Sequence, residues 1–362
     1  MRISLTPGHR DHTPYRRMLA VAASVSLALS IASCNISAYS QEPVLTSLSS
    51  QSVEDLKQGV SAQDLHDASL RKRTTKTGKL FISTNYSTGT ATKKPDADVT
   101  RIVSRDPSTD QFQWAVSIRP SAADRRMPNS ISDSNGGYAQ TASQSHTGDI
   151  IVSPDGRYLS LVLTPDESQR GVPATDRHTH VVVLDTQTGK AVRTAEVSGI
   201  ILGQALTNST LAVETAQNYF PAGSGKGTIT IFSLTDTSAQ PSSFPTDKWL
   251  VGATRENLML APEPLSDDCS YGCSMMTVTL INADGSTAGS ISGVTAVHPG
   301  GWIHRVADPK SDEQQLVNPS IKKTIDITGK NTFERGVPTG PGLLVEQKSP
   351  DGKGSTAPKP AF

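Results

Sequence analysis

From about residue 78 to about residue 345 the chain is a succession of short apolar runs, each closed off by Gly, Asp, Asn or Pro, with a new run roughly every eight to twelve residues. No other feature limits the fold so strongly. Runs that alternate apolar and polar side chains suit half-buried strands, and turn residues at such intervals leave no room for a helix of ten or more residues. The expected strands are 79–83, 100–104, 112–118, 149–152, 158–163, 180–184, 191–197, 201–206, 210–214, 227–234, 249–253, 258–261, 276–282, 287–291, 302–306 and 343–346. The class is therefore all-β: a sandwich, a barrel or a propeller.

An irregular repeat with a period near 45 points to the last of these. Asp106 to Trp114, Val183 to Val192 and Leu280 to Gly289 share one plan: a strand, a turn centred on Asp or Asn with Thr or Gly, and a second strand. Asp and Asn suit such turns because their side chains accept hydrogen bonds from nearby amides, and Gly accepts positive φ. Between these segments stands a second hairpin type. It is clearest in Asp149 to Leu159, whose turn is Ser153-Pro154-Asp155-Gly156. Ile201 to Val213 and Trp249 to Leu260 follow it without the Pro-Asp-Gly. Alternating the two types builds four-stranded blades.

These motifs carry a resemblance. Ser153-Pro154-Asp155-Gly156-Arg157-Tyr158 resembles the inner-strand turn of TolB-like, YVTN-type and WD-repeat-like bacterial propellers. Val183 to Val192 is similar to the outer hairpin of PQQ-like propellers, Leu-Asp-x-x-Thr-Gly-Lys-x-x-Trp. Asp185, Thr188, Gly189 and Lys190 keep its turn, with Arg193 where the Trp belongs. Asp106, Thr109 and Trp114 keep the Asp, Thr and Trp spacing but lack the Gly. The resemblance spans about 78–345 and implies a β-propeller of five to seven blades, about six. Quinone-dependent dehydrogenases with this fold carry a dense ring of Trp motifs and a metal-binding carboxylate and Asn set. This chain has three Trp, so no cofactor is expected.

The N-terminal segment bears on compartment. Arg16-Arg17 precede an apolar run from Met18 to Ala32, shorter than the ~20 residues that span hydrocarbon but suited to a signal-peptide core. Ile31-Ala32-Ser33-Cys34 resembles the lipobox of bacterial lipoproteins, which implies a diacylglyceryl group on the Cys34 sulfur. Tyr15-Arg16-Arg17-Met18-Leu19 also resembles a twin-arginine export signal. The expected divisions are a signal peptide over 1–33, a lipidated N-terminus and linker over 34–77, the propeller over 78–345 and a disordered tail over 346–362. Ser52 and Ser61, each followed by an acid, are helix-start signals within the linker.

The full chain balances 34 basic against 34 acidic residues, which excludes nucleic-acid binding driven by a basic face. Processing before Cys34 removes Arg2, Arg10, Arg16 and Arg17 but only Asp11, so the mature chain is weakly acidic. A weakly acidic protein gains nothing from an anionic membrane surface, and the lipid itself would anchor it at the outer face of the cytoplasmic membrane. Cys269 and Cys273 read as a disulfide in an exported protein. The alternatives are free thiols and half of a metal site, for which no His or further Cys lies nearby in sequence. Tyr271, between them, is a contact candidate at the loop tip.

Other candidate groups are sparse. His178-Thr179-His180 reads as a polar approach to a strand, and His298 beside Pro299 as a loop residue. No nucleophile elbow, phosphate loop, zinc-protease helix or calcium loop is present, so no catalytic or metal residues are assigned. The expected function is binding or scaffolding at the cell envelope, with another envelope protein or a small ligand as partner. The alternative is an envelope hydrolase or oxidoreductase working in the propeller's central funnel.

Overall fold

The structure is a computed structural model that describes residues 42–52, 69–75, 77–85, 99–122, 150–163, 176, 178–216, 227–263, 265, 275–308, 310, 313–333, 344–347 and 359–360. Statements below concern these residues, all of which fall in the unit Ala38–Phe362.

The first sheet comprises β1 (Val44–Leu48), β2 (Ser69–Thr74), β3 (Lys79–Asn85), β4 (Val99–Arg105) and β5 (Phe112–Arg119), in the order β1-β5-β4-β3-β2. The second is a simple meander of β6 (Ile150–Val152), β7 (Tyr158–Val162), β8 (His178–Asp185) and β9 (Ala191–Ser198). The third repeats it with β10 (Ile200–Leu206), β11 (Thr210–Ala216), β12 (Gly227–Ser233) and β13 (Ser242–Thr246). A seven-stranded sheet follows: β14 (Trp249–Ala253), β15 (Leu258–Ala261), β16 (Met276–Ile281), β17 (Thr287–His298), β18 (Trp302–Asp308), β19 (Glu313–Asn318) and β20 (Lys323–Asp326). Three short strands, β21 (Lys330–Phe333), β22 (Leu344–Gln347) and β23 (Lys359–Pro360), form the last.

The seven-stranded sheet is two blades sharing one strand. The first half of β17 pairs with β16 as the outer strand of the fourth blade, and the second half pairs with β18 as the inner strand of the fifth. The crossing point is Gly293, with φ 71°. The same junction joins the second blade to the third, where Gly199 has φ 96° between β9 and β10. At both, a Cβ would collide with a carbonyl of the next blade's second strand, Ala216 O for Gly199 and Val306 O for Gly293. Only glycine combines that backbone with that approach. Val197-Ser198-Gly199-Ile200 and Ile291-Ser292-Gly293-Val294 are therefore one motif.

Alternation along the strands divides each sheet's side chains between its two neighbours. Leu80, Ile82, Ile102 and Ile118 of the first blade pack against Leu159, Leu161, Val182 and Leu184 of the second. Tyr158, Val181 and Val183 on the other face meet Ile201, Leu211 and Val213 of the third. Ala205, Ala212, Ile229 and Ile231 then pack against Leu250, Leu258 and Leu260 of the fourth. Sheets stacked face to face in sequence order, with inner strands β6, β10 and β14 side by side, make a β-propeller.

Four expectations need correction. β1 and β2 lie within the stretch assigned to a linker, so the first sheet begins before residue 78. β22 and β23 extend pairing into the stretch assigned to a disordered tail. Propellers normally close by sharing strands between first and last blades, which makes the strands near Lys79 and Leu343 the expected partners from sequence, but these do not pair: β3 lies between β2 and β4, and β22 between β21 and β23. His178 and His180 are part of β8 and His298 ends β17, with His180 and His298 buried, so none of the three is a loop residue.

Candidate functional site

A meander of inner, second, third and outer strands has two edges, and here they differ in construction. At one edge lie the turns from inner to second strand and from third to outer strand. In the first four blades the inner turn begins with a buried hydroxyl residue: Thr75, Ser153, Thr207 and Thr254. Each oxygen accepts an amide hydrogen bond across its own turn, from Gly78 N at 3.0 Å, Tyr158 N at 2.9 Å, Thr210 N at 2.9 Å and Asn257 N at 2.9 Å. These are hydroxyl-closed turns.

The outer turns of the same four blades use carboxylates in the same way. Asp106 Oδ1 accepts from Ser108 N and Thr109 N, both at 2.8 Å. Asp185 Oδ1 accepts from Gln187 N and Thr188 N, both at 3.0 Å. Asp236 and Asp284 accept from Ser238 and Ser286. The Thr109 amide foremost holds the Asp106 carboxyl below its usual range, and the Ser238 and Ser286 hydroxyls do so for Asp236 and Asp284.

Neighbouring turns are tied together. Asp155 N donates to Asn208 Oδ1 at 3.2 Å, Asn208 N to Arg255 O at 2.8 Å and Arg255 N to Ser320 Oγ at 3.1 Å. The four bonded turns belong to the second through fifth blades. Thr186 Oγ1 donates to Gly156 O at 2.7 Å within the second blade.

One position on the outer strand of each of the first three blades clamps the next blade's turn. Trp114 lies on Gly189, where any Cβ would collide with its ring, and donates Nε1 to Thr186 O at 3.1 Å. Arg193 donates to Ser233 O at 3.2 Å and Thr237 O at 3.0 Å and stacks over Phe232. Phe244 stands 3.2 Å from where a Cβ on Gly285 would be. Trp114, Arg193 and Phe244 each follow a turn aspartate by eight residues. Arg193 thus occupies the Trp position and meets the same surface by hydrogen bonds and cation–π contact.

At the opposite edge the connections are long: 86–98, 164–177, 217–226 and 262–275 join second strands to third strands. A further stretch, 123–149, interrupts the inner strand of the second blade. Ala122 bridges Leu163 and Ile150 pairs with Leu161, so two chain segments share one strand position in line. This is the candidate functional edge.

Among its titratable groups, His178 lies within the second blade, while His180 and Glu214 lie at blade junctions. His178 Nδ1 is 3.2 Å from Glu196 Oε1 and 3.3 Å from Ser198 Oγ. Both contacts fall on one ring nitrogen, whereas a nucleophile–base–acid relay uses both, so this trio is not one. Buried His180 places Nε2 3.7 Å from Glu42 Oε2, which ties the segment before β1 to the second blade. Glu214, fully buried between the third and fourth blades, accepts from Leu250 N at 2.9 Å through Oε2, while Oε1 has no partner. Burial pushes its carboxyl up to about 7, against the lowering effect of the Leu250 amide. Glu214 is sealed from solvent at the junction of the third and fourth blades.

In the fifth blade, His298 and His304 stack with ring centroids 6.0 Å apart, and His304 Nε2 lies 3.0 Å from Gln314 Oε1. Burial foremost, then His298, lowers the His304 imidazole. Among the described residues no group of three or more His, Cys, Asp or Glu could hold a metal ion.

The sequence motifs thus map to the turn edge. Ser153, Pro154, Asp155 and Gly156 form one inner turn; Asp185, Thr188, Gly189 and Lys190 form one outer turn; Asp106 and Thr109 form another. The structure brings Trp114 onto Gly189, joining two motifs found separately. Cys34, Cys269, Tyr271 and Cys273 lie outside the described residues. Sequence reading missed Glu214, and its signal was a lone acid in the apolar run Leu211-Ala212-Val213-Glu214.

No protein-family model and no curated protein matches the chain. Solved structures similar to it include the β-propeller domain of the Trilobed protease from Pyrococcus furiosus, at 12% identity over 77% of each chain with a TM-score of 0.41. Another is the acylaminoacyl peptidase of Pyrococcus horikoshii, at 13% identity over 78% of this chain and 49% of that one, TM-score 0.36. TolB from Acinetobacter baumannii is similar at 11% identity over 84% of each chain, TM-score 0.30. The chain spans about half the length of the peptidase. Likenesses this distant carry no weight on function, and the propeller assignment stands on the chain's own sheet order.

Proposed function

We propose that the protein is a lipid-anchored, extracytoplasmic β-propeller that binds another envelope protein or a small ligand through its long-connection edge. The observation that carries the reading is the contrast between the edges. Turns at one edge spend their polar groups on each other, while every long second-to-third connection leaves from the other. Loops held by a rigid scaffold are where binding specificity concentrates. The connection between β15 and β16 carries Cys269, Tyr271 and Cys273; a bridge between the cysteines stiffens it and presents Tyr271 as a contact.

Anchoring follows from the lipobox. Intact mass of the membrane-fraction protein should show an acylated N-terminal Cys34, and Cys34→Ala should move the protein to the soluble exported fraction. A membrane-fraction chain that retains residues before Cys34 contradicts the anchor. Alkylation of Cys269 and Cys273 in native, non-reduced protein contradicts the bridge.

A further inference from the structure

We propose that the outer edge of β5 is a strand-binding site for an extended segment of a protein partner, and that β1 occupies it in this chain as a displaceable stand-in. The site is separate from the long-connection edge and does not depend on it. In the second and third blades the outer strand, β9 or β13, ends the sheet. The first blade continues outward, because β1 pairs antiparallel with β5 from Val44 opposite Arg119 to Leu48 opposite Ala115. No hairpin holds β1 there: the next strand in sequence, β2, lies at the other end of the same sheet. Without β1, the outer edge of β5 presents backbone N–H and C=O groups to any extended chain. Adding a strand to such an edge is a recurrent way of taking up a peptide.

The hold on β1 is shallow. None of its side chains is fully buried, and Val44 is 57% exposed. Leu45, opposite Ile118, packs half-buried on the core shared by the first and second blades. Ahead of the strand, the Glu42 carboxylate is 86% exposed and reaches His180 Nε2 at 3.7 Å, a contact that solvent screening keeps weak. The acceptor strand is held without β1: β5 pairs with β4 along its other edge and buries Val116 and Ile118 in the core. The same contacts define what the edge selects. Backbone pairing accepts any extended sequence, so selectivity comes from an aliphatic side chain in the place of Leu45 and a carboxylate three residues earlier, facing His180. The partner segment is an extended strand of the pattern acid-x-x-aliphatic.

The test uses the purified full chain and, as probe, a fluorescent peptide with the sequence of residues 42–49. Thr46 and Ser117 stand opposite each other, so Thr46→Cys with Ser117→Cys allows a disulfide that locks β1 in place. Leu45→Asp loosens β1 and leaves the acceptor edge untouched. Fluorescence anisotropy should show the probe binding the Leu45→Asp protein at least about tenfold more tightly than the parent, because apparent affinity scales with the fraction of sites that are open. The oxidised lock should bind the probe at least about tenfold more weakly than the same variant reduced. A probe carrying Leu45→Asp should not bind. Equal affinity of the locked and reduced forms, no binding to the Leu45→Asp protein, or equal binding of the two probes would overturn the proposal. So would a lock disulfide that joins two copies of the chain, since the edge would then be taking the strand of a second copy. Each of these outcomes leaves the reading of the long-connection edge standing.

Discussion

Replacing Glu214 with Gln isolates a buried carboxyl whose ionisation the fold opposes. Its ordinary value of 4.5 rises to about 7 in the native state because burial disfavours the charged form. The native protein therefore holds an extra proton between these values, and the unfolded chain does not. Stability contributed by this proton is fully present below pH 4.5 and is lost as pH rises through 7. A rise of that size corresponds to about 3 kcal/mol between the two limits, of which about 2.5 kcal/mol falls between pH 5 and pH 8.5. Gln keeps an oxygen for the Leu250 amide and cannot ionise. Urea titrations of both proteins across that interval should show the Gln variant gaining about 2 to 3 kcal/mol on the parent as pH increases. Any constant offset from the new amide group cancels in that comparison. Parallel pH curves for the two proteins would refute the assignment of a sealed, protonated Glu214.

The blade clamps and turns give three further tests, read by denaturant or thermal unfolding. Gly189→Ala should cost about 2 to 4 kcal/mol, from overpacking against Trp114 and from the left-handed backbone; in a Trp114→Ala background the penalty should fall to the backbone part, about 1 to 2 kcal/mol. Arg193→Ala should cost about 1 to 2 kcal/mol by removing its bonds to the Ser233 and Thr237 carbonyls and its stacking on Phe232. Thr254→Val keeps shape but removes the acceptor for Asn257 N and Glu256 N, and should cost about 1 to 2 kcal/mol; an unchanged midpoint would show that its hydroxyl does not close the turn.

Strands that build the core were legible because burial leaves a mark on sequence. Leu258–Ala261 and His178–Asp185 are almost wholly buried, and their apolar runs announce them. Ser242–Thr246, Glu313–Asn318 and Lys323–Asp326 were not legible. They are strands near blade rims with few or no buried side chains, held by backbone pairing that any sequence can supply. The N-terminal strand Val44–Leu48 escaped for the same reason: it adds to an existing outer edge. The outer turns were legible through Asp-centred patterns. Of the hydroxyl-closed inner turns, those at Thr207 and Thr254 showed only through their flanking strands and that at Thr75 not at all, because a single Thr closing a turn is indistinguishable in sequence from any surface Thr. The clamp position shows the same limit. Trp114 was recognised by type, while Arg193 and Phe244 hold equivalent places that only the spacing from the turn aspartate reveals.

The central claim is that binding belongs to the long-connection edge, and in-cell photo-cross-linking tests it most directly. With benzoylphenylalanine at Ser198 or Met275, irradiation should give discrete adducts to a partner held at the membrane, and the same residue at Ser238 or Ser286 should give at most a tenth of the yield. Partner adducts that arise from Ser238 and Ser286 but not from Ser198 or Met275 would contradict the account.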